Sequence, residues 1–287
     1  MKPSLFEYHQ ANSVEQALEI LADVCLDEGR ILAGGQTLVP AMALRLARPA
    51  HLVDINRIPE LAVLGVAGDH LSIGACVRHA AFHQLVIDGP LGQLLFEVAR
   101  HIAHLPIRMR GTFCGSLANA DAASEWCLVA ATLGANLVIR SVRGQRSLPA
   151  IEFFLGYMTT ALEPDEMLVA ARLPLLPAST CFGFDEYSRR AGDFAQAMSL
   201  VCFELRDGVM SKVRLGVGAV EGSARRLTEA EAMLEAQKPS PECFALAADA
   251  AARAVELSEP GDKDQMYKRA LVRTVVQRAL QKSVAAV

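Results

Sequence analysis

A chain of 287 residues, 52% of them hydrophobic, is long enough to bury more than one core, so we expect two or three subdomains. Its formal net charge of −4 and its 28 scattered Lys and Arg residues give no basic surplus, which argues against a nucleic-acid partner. Neither an apolar leader near Met1 nor a run of 18 uncharged apolar residues occurs. We therefore expect a cytoplasmic protein without an integral membrane segment.

Local patterns in the first half predict helices and strands in alternation. Ser13 followed by Gln16 is typical of a capping box, and the apolar residues from Val14 to Cys25 recur at helical spacing. A short strand at 30–33, a helix at 40–47 and a strand at 51–55 come next. Further on, the patterns predict a hairpin turning at Gly68-Asp69, a helix at 124–133, and strands at 136–142 and 167–173.

Beyond a Pro-containing linker near residues 174–179, strands and helices segregate. Residues 182–187, 199–206 and 209–220 predict an antiparallel meander with a turn at Asp207-Gly208. Three helices follow, the first beginning with a capping box formed by Thr228 and Glu231 and the other two at 241–257 and 265–283. The fold class predicted for the chain is α+β.

Two glycine loops are the candidate binding elements. The first consists of Ala33, Gly34, Gly35, Gln36 and Thr37, where two glycines permit close backbone approach and the next helix begins with free N–H groups. This chemistry suits a phosphate or pyrophosphate. The alternative is an ordinary turn between a strand and a helix.

The second loop repeats the chemistry with Thr112, Cys114, Gly115 and Ser116, and two such loops can hold one diphosphate from both sides. Neither loop has the Rossmann or the P-loop pattern, so a different nucleotide scaffold is expected. Ten residues beyond this loop, Glu125 is either a ribose-binding carboxylate or a first-turn helix residue favoured by the helix dipole.

In these two loops the sequence resembles the FAD-binding medium subunits of molybdenum hydroxylases. This is the family of the flavin domains of aerobic carbon monoxide dehydrogenase, xanthine dehydrogenase and quinoline oxidoreductase. The residues that carry the resemblance, in order along nearly the whole chain, are 33–38 with Pro40 and Arg45, 52–55, 110–125, 153–156, 166–168, 173–174 and 184–195.

The resemblance implies a two-subdomain FAD-binding fold of the vanillyl-alcohol oxidase (PCMH) type followed by a C-terminal α+β domain. The corresponding boundaries are 1–57, 58–175 and 178–285. It also implies a noncovalent FAD whose pyrophosphate is wrapped by Ala33, Gly34, Gly35, Gln36, Thr37 and by Thr112, Cys114, Gly115, Ser116. Glu125 takes the ribose-contacting place, and Leu168 packs near the adenine.

The same resemblance implies an electron-relay subunit without a catalytic residue of its own. A large molybdopterin subunit oxidises the substrate, either an N-heteroaromatic compound or carbon monoxide. A small [2Fe-2S] subunit carries electrons to FAD, which passes them to an external acceptor, and the expected assembly is a dimer of heterotrimers. The seven cysteines form no C-x2-C pair, which also places metal clusters on another chain.

Two alternatives remain open at this stage. One is a free-standing FAD-dependent oxidoreductase of the same fold, similar to the cell-wall precursor reductases, and the other is a non-redox scaffolding subunit. The histidines at 79, 83, 101 and 104 raise the idea of a metal or catalytic cluster, but we interpret them as surface or interface residues.

Three positions depart from the family pattern and bear on the flavin's redox tuning. Cys114 replaces a glycine, Ala122 replaces a common proline, and Glu186 stands where carbon monoxide dehydrogenase relatives have lysine. At a helix start, the Cys114 thiol is expected to be a reactive thiolate without flavin and protected with it. The alternative is a small buried cysteine.

Overall fold

The N-terminal segment forms a small parallel sheet with strand order β1-β3-β2. A computed structural model describes residues 2–257 and 262–285 of the chain. The Ser13 hydroxyl accepts a hydrogen bond from the Gln16 N–H at 3.1 Å, which confirms the predicted helix cap. The elements of this segment are β1 (Glu7–Gln10), α1 (Val14–Val24), β2 (Arg30–Leu32), α2 (Leu38–Ala43) and β3 (His51–Asp54).

Strand β1 was not predicted, because its sequence Glu-Tyr-His-Gln has no apolar alternation. It is held by pairing with β3, in which Glu7 lies opposite His51 and Gln10 lies opposite Asp54. Long-range pairing therefore makes a strand of a segment whose local pattern gives no strand signal.

A five-stranded antiparallel sheet follows, in the order β4-β5-β10-β6-β7. The hairpin turn at Gly68-Asp69 is confirmed, since Ala67 pairs with His70 across it. Its strands are β4 (Leu64–Ala67), β5 (His70–Gly74), β6 (Asn136–Ser141), β7 (Gly144–Pro149) and β10 (Met167–Pro174), with a two-stranded ribbon of β8 (Phe154–Gly156) and β9 (Thr159–Thr160). The helices between them are α3 (Pro90–Ala99), α4 (Leu105–Arg108), α5 (Phe113–Asn119), α6 (Glu125–Leu133) and α7 (Ala150–Phe153).

The C-terminal part is a four-stranded antiparallel sheet covered by three helices. Asp207 and Gly208 have φ values of 51° and 73°, so the predicted tight turn is confirmed. The strands are β11 (Thr180–Tyr187), β12 (Ala197–Arg206), β13 (Val209–Gly218) and β14 (Arg225–Arg226), and the helices are α8 (Thr228–Leu234), α9 (Pro241–Ala254) and α10 (Asp262–Ala285). The α+β class is confirmed by this segregation.

The capping box predicted at Thr228 and Glu231 is wrong. The helix is preceded by Leu227, and no side chain caps it. The Glu231 carboxylate instead accepts the Leu215 N–H at 2.8 Å and forms two hydrogen bonds of 2.7 Å with Arg226. The Glu231 carboxylate therefore binds residues of β13 and β14 instead of capping the start of the helix.

Strand β12 joins two hydrophobic cores. Its alternate residues Met198, Leu200 and Cys202 belong to the core shared with the first two sheets. The intervening Val201 and Phe203 face the core beneath the C-terminal helices. Because a strand alternates its side chains between faces, one buried strand fixes the C-terminal sheet onto the rest of the molecule.

Within residues 2–257 and 262–285, every helix is too short or too polar to cross a bilayer.

Candidate functional site

The first glycine loop leaves β2 and enters α2 through a backbone conformation that requires glycine. Gly35 has φ +70°, and its carbonyl accepts the Val39 N–H at 3.0 Å to begin the helix. The Gln36 side-chain amide donates to the Gly34 carbonyl at 2.9 Å, which closes the loop on itself. Thr37 is exposed at the end of the loop.

The second loop is fixed at its start by backbone pairing with the segment before it. The His79 N–H donates to the Gly111 carbonyl and the Phe113 N–H donates to the Val77 carbonyl, each at 3.0 Å. The Thr112 hydroxyl then accepts the Gly115 N–H at 3.0 Å, so Thr112 is the N-cap of α5. The Thr112 residue is buried, and its hydroxyl is already used in capping the helix.

The two loops touch each other directly. A Cβ atom on Gly34 would stand 2.6 Å from the Arg110 carbonyl oxygen and 2.6 Å from the Gly111 Cα, closer than real Cβ contacts allow. Residues 33–37 and 110–116, separated by more than seventy positions, therefore form one continuous backbone surface. The sequence-based idea of two loops gripping one ligand is geometrically possible.

A polar network that the sequence analysis missed ties the loops together from behind. The Asn56 side-chain amide donates to the Ala33 carbonyl at 2.9 Å and to the Leu32 carbonyl at 3.3 Å. Arg78 donates to the Asn56 side-chain oxygen at 2.5 Å and also to the Arg110 carbonyl. In the sequence, the position of Asn56 just beyond parallel strand β3 is the signal that could have indicated this network. The residues that Asn56 contacts lie far from it in the sequence.

The surface made by the loops presents unused backbone donors. Within the described part of the chain, no protein acceptor takes a hydrogen bond from the N–H groups of residues 34–38. Consecutive N–H groups around a glycine with positive φ form an anion-binding concavity. The donor set therefore fits a pyrophosphate.

Two of the predicted site residues point into the protein. The Cys114 side chain is 2% exposed and donates to the Ile73 carbonyl at 3.4 Å, and burial raises the pKa of its thiol far above the ordinary value. The expected thiolate is therefore wrong, and the alternative of a small buried cysteine is supported. Leu168 lies on β10 and is 5% exposed, which leaves little side-chain surface for a ligand. Ser116, in contrast, is partly exposed on α5.

Glu125 is the first residue of α6 and is partly exposed, and its carboxylate lies near those of Asp121 and Glu186. Burial, and then the charge of Asp121, raise the pKa of Glu125 to about 7. On β11, burial and then the charge of Glu125 raise the pKa of Glu186 to about 8. One Glu186 carboxylate oxygen is buried and has no hydrogen-bond partner among the described residues. Glu125 was expected from its position after the second loop and Glu186 was noted as a departure from the family pattern, but their proximity was not predicted.

The interpretation of His79 as a surface or interface residue is wrong. His79 is buried, its Nδ1 accepts the Trp126 indole N–H at 2.9 Å, and burial lowers its pKa to about 4. It supports the second loop, because a Cβ on Gly111 would stand 2.5 Å from the His79 ring. His101 lies beside the carboxylates instead, with its Nδ1 3.9 Å from Glu186 Oε2 and its ring edge against Phe184.

The fold and the paired loops define a flavoprotein of the FAD-binding type. Residues 4–176 match the model of the FAD-binding domain in molybdopterin dehydrogenase, and residues 182–283 match that of the carbon monoxide dehydrogenase flavoprotein C-terminal domain. The chain belongs to the family of FAD-binding flavoprotein subunits of molybdenum-containing dehydrogenases.

Curated relatives and solved structures agree over almost the full length. The chain is 39% identical to the 6-hydroxypseudooxynicotine dehydrogenase complex subunit alpha of Paenarthrobacter nicotinovorans, covering 99% of this chain and 96% of that protein. It is 34% identical to the nicotine 6-hydroxylase medium subunit of the same organism, covering 98% of each. Among structures, carbon monoxide dehydrogenase from Hydrogenophaga pseudoflava has a TM-score of 0.93 at 36% identity, covering 99% of both chains. Quinoline 2-oxidoreductase from Pseudomonas putida 86 has a TM-score of 0.91 at 34% identity, covering 100% of this chain and 99% of that chain.

Proposed function

We propose that this subunit holds one noncovalent FAD with its pyrophosphate in the seam between the two glycine loops, and that it relays electrons there. The observation that carries the proposal is the contact of Gly34 with Arg110 and Gly111, which aligns the free N–H groups of residues 34–38 with the start of α5. FAD, once bound, can accept and release one or two electrons, which suits a relay.

The position of each residue supports the individual contacts that we propose. Ala33, Gly34, Gly35, Gln36 and Thr37 contact the pyrophosphate through backbone N–H groups, with the Thr37 hydroxyl exposed beside them. On the other side, Thr112, Cys114, Gly115 and Ser116 contribute backbone atoms and the Ser116 hydroxyl, whereas the Cys114 thiol stays in the core.

Glu125 and Leu168 serve the nucleoside part of FAD in this proposal. An ionised Glu125 accepts hydrogen bonds from ribose hydroxyls, and its raised pKa makes that role depend on pH near neutrality. Leu168 offers the adenine only the small exposed part of its side chain.

The names of the relatives and the state of the cysteines support a division of the electron path among several subunits. The relatives are called medium chains or complex subunits, and all seven cysteines here are free thiols, five of them buried. We propose that a small [2Fe-2S] subunit and a large molybdopterin subunit complete the electron path, in a dimer of heterotrimers. The large subunit oxidises an N-heteroaromatic compound or carbon monoxide, since nicotine and quinoline enzymes and carbon monoxide dehydrogenases are all among the similar proteins.

Location and domain boundaries complete the proposal. Seven unpaired thiols fit a reducing compartment, which supports a cytoplasmic location.

Residues 1–57 and 58–175 are proposed as the two FAD-binding subdomains, and 178–285 as the C-terminal domain, within which 258–261 lie outside the described residues. The three sheets with more than two strands fall one in each of these ranges, which supports the divisions.

Reconstitution of the purified full-length chain tests the flavin proposal. With excess FAD, the desalted protein should show flavin absorbance equivalent to one FAD per chain, and heat or acid should release unmodified FAD. A chain that retains no flavin, or keeps it after denaturation, contradicts the proposal.

Co-expression with candidate small and large subunits tests the assembly. We expect one complex on size exclusion that contains all three chains, and no oxidation of N-heteroaromatic compounds by the isolated flavin-loaded chain. Substrate oxidation by that chain alone at the rate of the complex would establish the free-standing alternative.

A further inference from the structure

Three polar side chains converge on one face of the N-terminal sheet, away from the glycine loops. Glu7 and His9 alternate along β1 and so share a face, and His51 on β3 is the register partner of Glu7. The three strands are parallel, and the first glycine loop leaves the end of β2. Glu7 and His51 instead stand at the beginnings of their strands, at the opposite edge of this sheet.

The three side chains bring potential ligand atoms into a tight triangle. His9 Nε2 lies 3.0 Å from His51 Nδ1. The Glu7 carboxylate oxygen Oε2 lies 3.6 Å from His51 Nδ1 and 4.0 Å from His9 Nε2. The rings are 5.3 Å apart between centroids and tilted by 31°.

The dimensions of this triangle match those of a zinc site. The point equidistant from the three atoms lies about 2.1 Å from each, within the ranges of zinc–nitrogen (about 2.0–2.1 Å) and zinc–oxygen (about 2.0–2.2 Å) bonds. A tetrahedral arrangement with a fourth position for water requires the ion to leave that plane and the exposed Glu7 side chain to move closer to His9 than 4.0 Å.

Donor type and exposure point to the same class of ion. Two imidazoles and one carboxylate suit zinc and neighbouring transition metals, whereas magnesium and calcium take oxygen ligands. The His9 and His51 side chains are 26% and 18% exposed, so their positions are set by the sheet, and the 74% exposed Glu7 can adjust to an ion. The site is open to solvent, which lets a hydrated ion enter.

We propose that Glu7, His9 and His51 form a zinc-binding site that fastens strand β1 to strand β3. Without the ion, the two imidazoles share a hydrogen bond, so one ring donates and the other accepts. Zinc replaces that hydrogen bond with two coordinate bonds and joins the N-terminal strand to the centre of its sheet. The site is separate from FAD binding and does not depend on it.

Calorimetric titration of the full-length chain with zinc chloride tests this site. The protein carries no affinity tag, is treated with EDTA and dialysed, and is titrated as wild type and as the variants His9→Ala, His51→Ala and Glu7→Gln. His70→Ala is the matched control, because His70 also pairs with a carboxylate, Asp69, at 3.1 Å but, within residues 2–257 and 262–285, belongs to no cluster of three ligand residues.

We expect one zinc per chain in the wild type and in His70→Ala, and at least a tenfold weaker affinity in His9→Ala and in His51→Ala. Zinc should raise the thermal midpoint of the wild type, while magnesium at the same concentration should not. Cobalt should give the visible absorption of a four-coordinate ion in the wild type and in His70→Ala, but not in His9→Ala or His51→Ala.

The absence of stoichiometric zinc binding by the wild type would overturn the proposal. So would equal zinc affinity in the wild type and in the two histidine variants, since the zinc would then be bound elsewhere, for example by the partly exposed Cys25 or Cys243. Circular dichroism and FAD content of each variant show that it is folded, so a lost affinity is read only from folded protein.

Discussion

Gly34 packs directly against Gly111, and there is no space for a side chain between them. A Cβ at position 34 would lie 2.6 Å from the Gly111 Cα and 2.6 Å from the Arg110 carbonyl oxygen, so an alanine must push the two loops apart. We expect Gly34→Ala to weaken FAD binding by at least about tenfold, or 1.4 kcal/mol, when FAD is titrated by fluorescence quenching. Gly65→Ala is the control, because nothing lies within 4 Å of a Cβ there. Equal affinities in both variants would show that the seam between the loops does not hold the flavin.

Gly35 is constrained by its backbone conformation. Its φ of +70° disfavours any side chain, and a Cβ would also stand 3.0 Å from Leu32 and 3.2 Å from Val39. Strain alone costs roughly 1–3 kcal/mol, so Gly35→Val should abolish FAD binding. The C-terminal core lies elsewhere and should still fold, which limited proteolysis can show. Normal flavin occupancy in this variant would contradict the placement of the pyrophosphate.

Asn56 is predicted to matter through the loops it braces. Replacing it with alanine removes the donor to the Ala33 and Leu32 carbonyls and leaves Arg78 without one of its acceptors. We expect the free energy of unfolding to fall by about 1–3 kcal/mol and FAD affinity to fall with it. Urea denaturation and FAD titration measure the two effects, and the exposed neighbour Arg57→Ala should change neither. A variant with wild-type values would mean that the network is dispensable.

Cysteine labelling distinguishes buried from accessible thiols. Cys114 is fully enclosed and its thiol pKa is raised, so iodoacetamide should leave it unmodified in native protein both with and without FAD. Cys25 and Cys243 are partly exposed and should react first, as peptide mass mapping can show. Rapid labelling of Cys114 only in flavin-free protein would instead place this thiol at the ligand.

Features set by local residues could be predicted from the sequence, whereas features set by long-range packing could not. Both glycine loops, the positive φ of Gly35 and the turn at Asp207-Gly208 could be predicted, because they depend on the residues at those positions. The contact of Gly34 with Gly111 could not, since it arises only when two distant loops pack. The Cys114 side chain was misplaced for the same reason: helix position gives the backbone environment, but the packing of α5 on β5 decides where the thiol points.

Among the residues that the structure describes, Glu186 has a buried side chain and no compensating Lys or Arg. Its side chain is 4% exposed, and His101, 3.9 Å away, has a lowered pKa because it is itself buried. Lys282 on α10 is engaged with Asp185 at 2.8 Å and with the Phe184 carbonyl at 3.0 Å. The remaining groups that face Glu186 or its neighbours are acidic, namely Glu97, Asp121, Glu125 and Asp185. An ionised Glu186 is therefore unfavourable in the folded protein.

The pH dependence of stability should report this carboxyl group. In the unfolded chain Glu186 releases its proton near the ordinary pKa of 4.5, whereas the folded protein keeps it up to a pKa of about 8. The folded state then binds more protons, so this contribution to stability is fully present below pH 4.5 and is lost as the pH rises to about 8. The loss is at most about 1.4 kcal/mol per pH unit.

The variant Glu186→Gln keeps the shape of the side chain without its charge. Its thermal midpoint in flavin-free protein should approach that of the wild type at low pH and exceed it increasingly towards pH 8, while the exposed Glu60→Gln should follow the wild type. Parallel curves for the wild type and Glu186→Gln would mean that Glu186 is ionised at no cost in the folded protein.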